Sequence, residues 1–422
     1  MILPRFLRSA FEGYEIVDFK EFLTDGKIEV HLGRKQKKQW LCHRCGTKLG
    51  VQRGKHKMCL EGMPIMGFKL FVYLWRHKGH CENCNKARSE QIEFVSDERP
   101  NLMKDYAWWI GRLCEIAAVS RVAEVTEQDE MTTWRLDLHR MKQMAAHYKI
   151  PKVQRISVDE VYARKKAKNE LESRNERFFT VISDLDTGRV IWVSPSRDKN
   201  SLDQFFILLG EEACKEIQVV AADQHDDYAA SVREFCPNAK LVWDRFHIMQ
   251  NFEIALNDQR LELHGELSKG SELYRQTRGK FKYLFLKAAD RRTDKEKQHI
   301  NDVVKDNESF FKLELIKEKM LTFFSQPNEV EAKKVFEEVG DWIWQADFKH
   351  LQKWFTNLNG GWATLKNYFS YRVTSALSEG HNNVIKMLKR RAFGYRNMLY
   401  FRLKIMQVCG YLNSRYIKPN YQ

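Results

Sequence analysis

Over the first 95 residues, apolar and polar positions alternate in short runs such as KIEVHL at 27–32 and FKLFVYLW at 68–75, with many Gly and Lys between them. A period of two predicts strands, so this stretch reads as a small β-rich module. From Lys104 to Tyr148 the pattern changes to apolar residues three and four apart, which predicts consecutive helices ended by Pro151. Between Arg155 and Phe246, strand-like runs (RISVDEVY, RFFTVISDL, RVIWVS, IQVVAAD, AKLVWD) are joined by a hairpin-like DTG turn and by helical stretches near Ser201–Ala213 and Asp227–Phe235. That mixture predicts an α/β sheet domain. From Ile248 to Asn367 the chain is rich in Lys and Glu with helical periodicity and few strand signals, as expected of a helical insertion, and from Ser370 a strongly amphipathic helix follows. The expected class is therefore an α/β multidomain protein, divided at 1–95, 96–150, 151–247, 248–367 and 368–422.

A chain of 422 residues is too long for one compact core. Its 43% hydrophobic and 12% aromatic content excludes a disordered basic tail. The excess of 71 Lys and Arg over 56 Asp and Glu, a net +15, favours a polyanionic partner, nucleic acid above all. No apolar run approaches the ~18 residues of a membrane span, and MILPRFLRSA is too short and too basic for a secretory signal, so a soluble cytoplasmic protein with no membrane partner is expected. Nine cysteines, four of them in two CxxC pairs, favour reduced thiols and a metal over disulfides.

Cys42 and Cys45 form one pair and Cys81 and Cys84 the other, 35 residues apart. Each tight turn presents two thiolates on one side, and four complete a closed tetrahedral zinc shell, structural rather than catalytic. Cys59, His56, His77 and His80 lie between the pairs as alternative ligands. Downstream, YAWWIGRLCEIAA, SRVAEV and DEMTTWRLDLHRMKQ have the proportions of a helix-turn-helix. On the last helix, Met131, Trp134, Leu138 and Met141 share an arc that would pack inward, leaving Thr132, Arg135 and His139 outward for phosphates and base edges. An ordinary three-helix bundle with a solvated polar face is the alternative.

Three carboxylates stand where an α/β fold exposes side chains: Asp159 inside the strand RISVDEV, Asp223 after the apolar run IQVVAA, and Glu379 on the helix opened by TSALSEG. An acid inside a strand is costly unless paired, hydrogen-bonded or bound to a cation. Three of them together would favour two Mg²⁺ ions ~4 Å apart, the arrangement that serves phosphoryl transfer. For each acid alone, a salt-bridged or surface role is the competing reading. At 100° per residue, Leu377, Val384 and Leu388 share one face of the last amphipathic helix, while Glu379, Asn383, Lys386 and Arg390 share the opposite one, flanked by Lys389 and Arg391. Such a face suits a phosphate backbone, or simply solvent.

The ordered blocks CHRCG, CENC, the helical pair, ISVDE, VVAADQHDDYAASVREFCPNAKLVWDRFHIMQN and SEGHNNVIKMLKRRAFGYRN resemble the bacterial insertion-sequence transposases of the ISL3 family over nearly the whole chain. The resemblance implies a zinc ribbon and a helix-turn-helix joined to an RNase H-like DDE catalytic core with an all-helical insertion. It implies Asp159, Asp223 and Glu379 as catalytic ligands of two Mg²⁺, which Mn²⁺ could replace, and Asp244 and His247 of the D-x-x-H motif in a supporting role. The partners it implies are double-stranded DNA, as terminal inverted repeats and target, and at least one further copy of the chain. Asn383, Lys386, Lys389, Arg390 and Arg391, with Thr132, Arg135 and His139, would contact that DNA. Asp226 and Asp227 compete with Asp223 for the middle position, and the segment ARKKAKNELESRNER at 163–177 departs from the family in length and charge. A DNA-binding regulator without catalysis and a metal-dependent nuclease without strand transfer are the alternative functions.

Overall fold

The computed structural model describes residues 11–36, 39–164, 175–305, 307–373, 376–413 and 415. Positions 165–174, most of the charged segment that departs from the family, lie outside them. The described chain forms two compact units, one ending at Tyr148 and resuming at Leu399, the other running from Lys149 to Met398.

In the first unit, β1 (Tyr14–Phe22), β2 (Lys27–Arg34), β3 (Gln52–Ile65), β4 (Phe68–Cys81) and β5 (Lys86–Ser89) form one sheet in the order β1-β2-β4-β3, with β5 on the distal part of β4. Alternation decides which face is covered: Leu70, Val72 and Leu74 of β4 are buried with Val30, Leu32 and Leu60, and the residues between them point the other way. Three helices, α1 (Lys104–Leu113), α2 (Val119–Thr126) and α3 (Glu130–His147), close this core with Tyr106, Ile110, Val122 and Leu136. The buried arc of α3 differs from the expected one. It runs through Thr132, Thr133, Leu136, Asp137, Arg140, Met141 and Met144, and Met131 is 55% exposed. The physical reason is that polar residues occupy the inner positions in pairs. Arg140 bonds Glu115, Asp137 accepts from Tyr400 Oη at 2.7 Å and lies 2.8 Å from Lys404 Nζ, and Thr132 is turned inward onto its N-cap Asp129. Tyr400 and Lys404 belong to the last helix, Met398–Val408, so the chain from Leu399 onward packs with the first unit and not with the sheet core expected to extend to residue 422.

The second unit is built on β6 (Arg155–Tyr162), β7 (Phe178–Asp184), β8 (Arg189–Pro195), β9 (Val219–Ala222) and β10 (Lys240–Trp243), in the order β10-β9-β6-β7-β8. β6, β7 and β8 are an antiparallel meander, whereas β9 and β10 run parallel to β6. Parallel strands need crossovers, and α4 (Lys199–Leu209) and α5 (Asp226–Phe235) supply them. The central strands are apolar on both faces, with Ile156, Val158, Val181, Ile182, Val219 and Val220 all buried. After β10 the chain is helical: α6 (Arg245–Glu266), α7 (Asp294–Lys305), α8 (Glu308–Leu321), α9 (Glu329–Gln345) and α10 (Lys349–Gly360) pack with shorter turns around Phe252, Phe310, Ile316, Val339 and Leu351. The aromatics of DWIWQADF and KWFTNLNGGW include the core members Phe348 and Trp354. The helix α11 (Ala376–Arg391) then returns to β6.

This helical block is fastened to β10. Asn367 Nδ2 donates to Leu241 O at 2.8 Å, and Gly361 lies flat against Trp243, where an added Cβ would come within 1.6 Å of the indole. Gly361→Ala should therefore be destabilising by overpacking, at least the ~1–3 kcal/mol typical of a crowded core. Urea unfolding measures it, and a midpoint equal to that of the parent chain would show that the contact is slack.

Candidate active site

The strand register generates the site. β6 pairs with β9 at Ser157↔Ala221, and β9 with β10 at Ala222↔Trp243. Two residues beyond the first pair and one beyond the second stand Asp159, Asp223 and Asp244, so three acids form one row across three parallel strands, Asp159 inside β6 and the other two just past the ends of β9 and β10. A solvent-open cleft of about 340 Å³ is lined by these three acids with Ser157, Trp243, His247 and Ser378.

Each carboxylate is held by its own backbone. Asp159 Oδ1 accepts from Glu160 N at 2.7 Å, Asp223 Oδ1 from Gln224 N at 2.6 Å, and Asp244 Oδ1 from Phe246 N at 2.9 Å as the N-cap of α6. Asp244 thereby stands at the positive end of a 22-residue helix. His247 Nε2 lies 3.7 Å from Asp244 Oδ2 and 4.0 Å from Asp159 Oδ1, between the two acids. Burial pushes the Asp159 carboxyl above its usual range, against the Glu160 N–H, His247 and the Asn382 amide, which pull it down, while Asp244 adds to the rise. A carboxylate kept ionised at such a place favours a compensating cation, and the donors around it are hard oxygens suited to Mg²⁺.

The glutamate helix meets β6 through residues that its hydrophobic pattern did not single out. Asn382 Nδ2 donates to Asp159 Oδ2 at 2.9 Å, Ser378 Oγ to Ser157 Oγ at 3.3 Å, and His381 Nδ1 lies 3.1 Å from Ser183 Oγ. Buried Ser378, Ile385 and Leu388 mark the contact face, and Leu377 and Val384 flank it. Spacings of three and four through 378, 381, 382 and 385 carry this face, but it is written largely in polar residues. Glu379 is exposed, one residue from Ser378 and three from Asn382, and does not line the cleft. Asp226 and Asp227 sit at the start of α5, with Asp227 4.0 Å from His225, and Asp223 lines the cleft instead. Asn383, Lys386, Arg390 and Arg391 are exposed. Lys389 differs: its ammonium donates to Tyr162 O at 2.7 Å over the Tyr162 ring, and burial lowers its pKa.

In the first unit, Cys42, Cys45, Cys81 and Cys84 are, among the described residues, the one group of three or more donors whose ligand atoms all lie within 4.8 Å of one another. The sulfurs of Cys45 and Cys81 are 3.4 Å apart and those of Cys42 and Cys84 4.0 Å, close to the ~3.8 Å that a tetrahedron of 2.3 Å Zn–S bonds requires. The Thr47 hydroxyl and N–H hold the Cys45 thiol down to about 5. The cluster is compatible with structural zinc. Cys59 stands on β3 opposite Tyr73, and His77 stacks on Trp40, so neither joins the four. Thr132 is buried, Arg135 is exposed, and His139 lies 3.4 Å from Glu98.

Residues 156–405, more than half of the chain, match the profile of a transposase family, that of the ISL3 insertion sequences. The chain is 24% identical over 371 residues to the transposase for insertion sequence element IS1001 of Bordetella parapertussis, covering 87% of this chain and 88% of the relative. It is 26% identical over 266 residues to the transposase for insertion sequence element IS1557 of Mycobacterium tuberculosis, covering 58% of this chain and 57% of that one. Among the described residues no helix is long and apolar enough to cross a membrane.

The two candidate metal centres should respond differently to chelation. Stripping the thiolate cluster should release one zinc per chain by atomic absorption and loosen the segments around Cys42 and Cys84 to hydrogen exchange, because binding energy there is folding energy. Cys45→Ser should do the same. A purified chain with full exchange protection and no zinc would refute the structural role.

Proposed function

The chain belongs to the ISL3 family of insertion-sequence transposases, and from that premise we propose that it cuts the DNA at the terminal inverted repeats of its element and joins the freed 3′ ends to target DNA. The observation that carries this reading is the row of Asp159, Asp223 and Asp244 across three neighbouring parallel strands, with α11 bonded to the first of them through Asn382. The strand order, three antiparallel strands followed by two parallel ones on the side of the first, supports an RNase H-like core whose helical insertion precedes the glutamate helix.

In this reading Asp159, Asp223 and Glu379 hold two Mg²⁺, or Mn²⁺ in their place, and Asp244 and His247 support them. The ions supply Lewis-acid activation of the attacking oxygen and stabilisation of the leaving one. The chain's own groups set the geometry beforehand. Glu160 N–H and Asn382 fix the two oxygens of Asp159, so that its carboxylate does not have to reorganise during the reaction. His247 stands within 4.0 Å of Asp159 and Asp244, where it can hold a proton between them or donate to either. Behind the strand, Glu160 is tied to Arg197 at 3.0 Å and to Tyr228 Oη at 3.1 Å, which locks β6 to its neighbours. Glu379 lies in the first turn of α11, near its positive end, and Lys386, Arg390 and Arg391 further along that helix would meet phosphates.

The helices α2 and α3 form the helix-turn-helix of this reading. Glu127 in the left-handed region closes α2, and Asp129 caps α3. Arg135 and His139 are its DNA contacts; Thr132 serves the cap instead. Zinc at the four cysteines shapes the ribbon, and two copies of the chain handle the two ends together.

Labelled element ends incubated with the protein and Mg²⁺ test the proposal: joined products support a transposase, cleavage alone a nuclease, and a mobility shift without cleavage a regulator. Asp159→Asn should abolish cleavage and keep DNA binding. The same variant should be no less stable than the parent in chelator, since it removes a largely buried charge and keeps an acceptor for Glu160 N, which offsets the lost hydrogen bond from Asn382. The sign follows from the raised pKa. Folding favours the protonated form of Asp159, so its contribution is favourable below the ordinary carboxylate range and is lost as pH rises. Cleavage by Asp159→Asn at the parent rate would sink the assignment.

A further inference from the structure

The exposed face of β3 and β4 carries a row of cations and aromatic rings that neither the cleft nor the helix-turn-helix uses. Lys55 stands opposite His77, Lys57 opposite Trp75 and Cys59 opposite Tyr73, so these side chains share the face turned away from buried Leu60, Val72 and Leu74. They interleave. The Lys57 ammonium lies 5.0 Å over the Tyr73 ring and that of Lys55 4.8 Å over Trp75, itself 47% exposed. His31 stacks on Tyr73 at 4.9 Å on one side, and Trp40 on His77 at 4.8 Å on the other. Arg53 and Lys78 are exposed where the ladder shifts register between Gln52 and Gly54.

The charges on this face are not neutralised locally. Among the described residues no carboxylate comes within ion-pair distance of Arg53, Lys55, Lys57 or Lys78, whereas lysines on the helices find partners a turn away, as Lys215 does at Glu211 and Lys312 at Glu308. The concentration of charge shows in its neighbours. The pKa of His77 on this face is lowered by burial and by Arg34 and Lys55, with Glu90 opposing. Glu29 and Glu61 bound the patch at the Cys59 end. Successive lysines on one face of a strand are about 6.8 Å apart, two nucleotides of axial rise along one DNA strand. The ladder holds that spacing without loop entropy, and the flat rings exclude water beside the ammonium groups.

We propose that this lysine and aromatic face of β3 and β4 binds the phosphate backbone of duplex DNA. The inference rests on the transposase reading for its partner and adds a surface to it. Contacts of this kind are indifferent to sequence: they hold the duplex while the helix-turn-helix reads base edges.

Salt dependence tests it. Affinity for a labelled duplex is measured from about 50 to 200 mM salt for the full-length parent and for Lys55→Gln/Lys57→Gln, with end-containing and unrelated sequences. Two lost phosphate contacts should reduce the slope of log affinity against log salt by about 1.8, equally for both duplexes. Lys55→Arg/Lys57→Arg should keep the parent slope. Both variants should retain zinc content and unfolding midpoint, since the side chains are exposed. A folded glutamine variant with the parent slope overturns the surface, as does a loss confined to element ends. The same samples are assayed with Mg²⁺ for end joining. Joining with an unchanged slope rejects the surface alone, whereas a reduced slope without joining by the parent chain supports the surface and rejects the transposase reading. A single-stranded probe bound more tightly than the duplex, with the lysines still required, would overturn the duplex assignment.

Discussion

Parallel pairing of β9 and β10 with β6 is the constraint on which the second unit depends. It fixes not only which strands are neighbours but at what height each one stands, so that Asp159 inside β6 and the acids just past β9 and β10 become a row rather than three scattered charges. A one-residue slip of β9 would turn Asp223 to the other face of the sheet and bury it without a partner. The apolar strand interiors pay for this order. Val158, Val220 and Val242 can pack only in one register, and their burial holds carboxylates where repulsion alone would drive them apart.

A different solution holds the first unit together. The helix α3 buries Asp137 and Arg140, each costly alone, and pairs one oxygen of Asp137 with Tyr400 and Lys404 from the last helix and one nitrogen of Arg140 with Glu115. Removing one partner would leave an uncompensated charge in the core, so these pairs select a single packing even where their net contribution to stability is small. The last helix is thereby part of the first unit, although the whole second unit intervenes in sequence.

Much of this was legible beforehand, and the failures have physical causes. The two CxxC pairs could be read because thiolates at that spacing have few other uses, and Asp159 because a carboxylate inside an apolar strand stands out. The inner face of α3 was misread by one position: apolar spacing cannot reveal a core position filled by a paired Asp137 or Arg140, and Met131 was assigned inward in their place. For the same reason Ser378, His381 and Asn382 went unseen, since they contact β6 and β7 through hydrogen bonds and not hydrophobic area. Lys389 read as a phosphate ligand, yet the Tyr162 carbonyl and ring engage it. The role of Asp244 in the row required the register of β10, which no local pattern encodes.

A site made of acids must accept a substrate made of phosphates, and the helix α11 shows how one element can serve both. Glu379, Lys386 and Arg390 fall on one stripe of that helix, within about 40° of one another at 100° per residue. Along the axis the cations follow the acid by about 10 and 16 Å, at 1.5 Å per residue. The helix field has the same sense, favouring the carboxylate at its first turn and the cations Lys389, Arg390 and Arg391 at its last. In the transposase reading, a backbone lying along this stripe meets neutralising charge over most of its length and negative charge only at the end where bound cations reverse the sign. Repulsion is then confined to the place where the ions convert it into a requirement, which makes DNA engagement and metal loading favour each other.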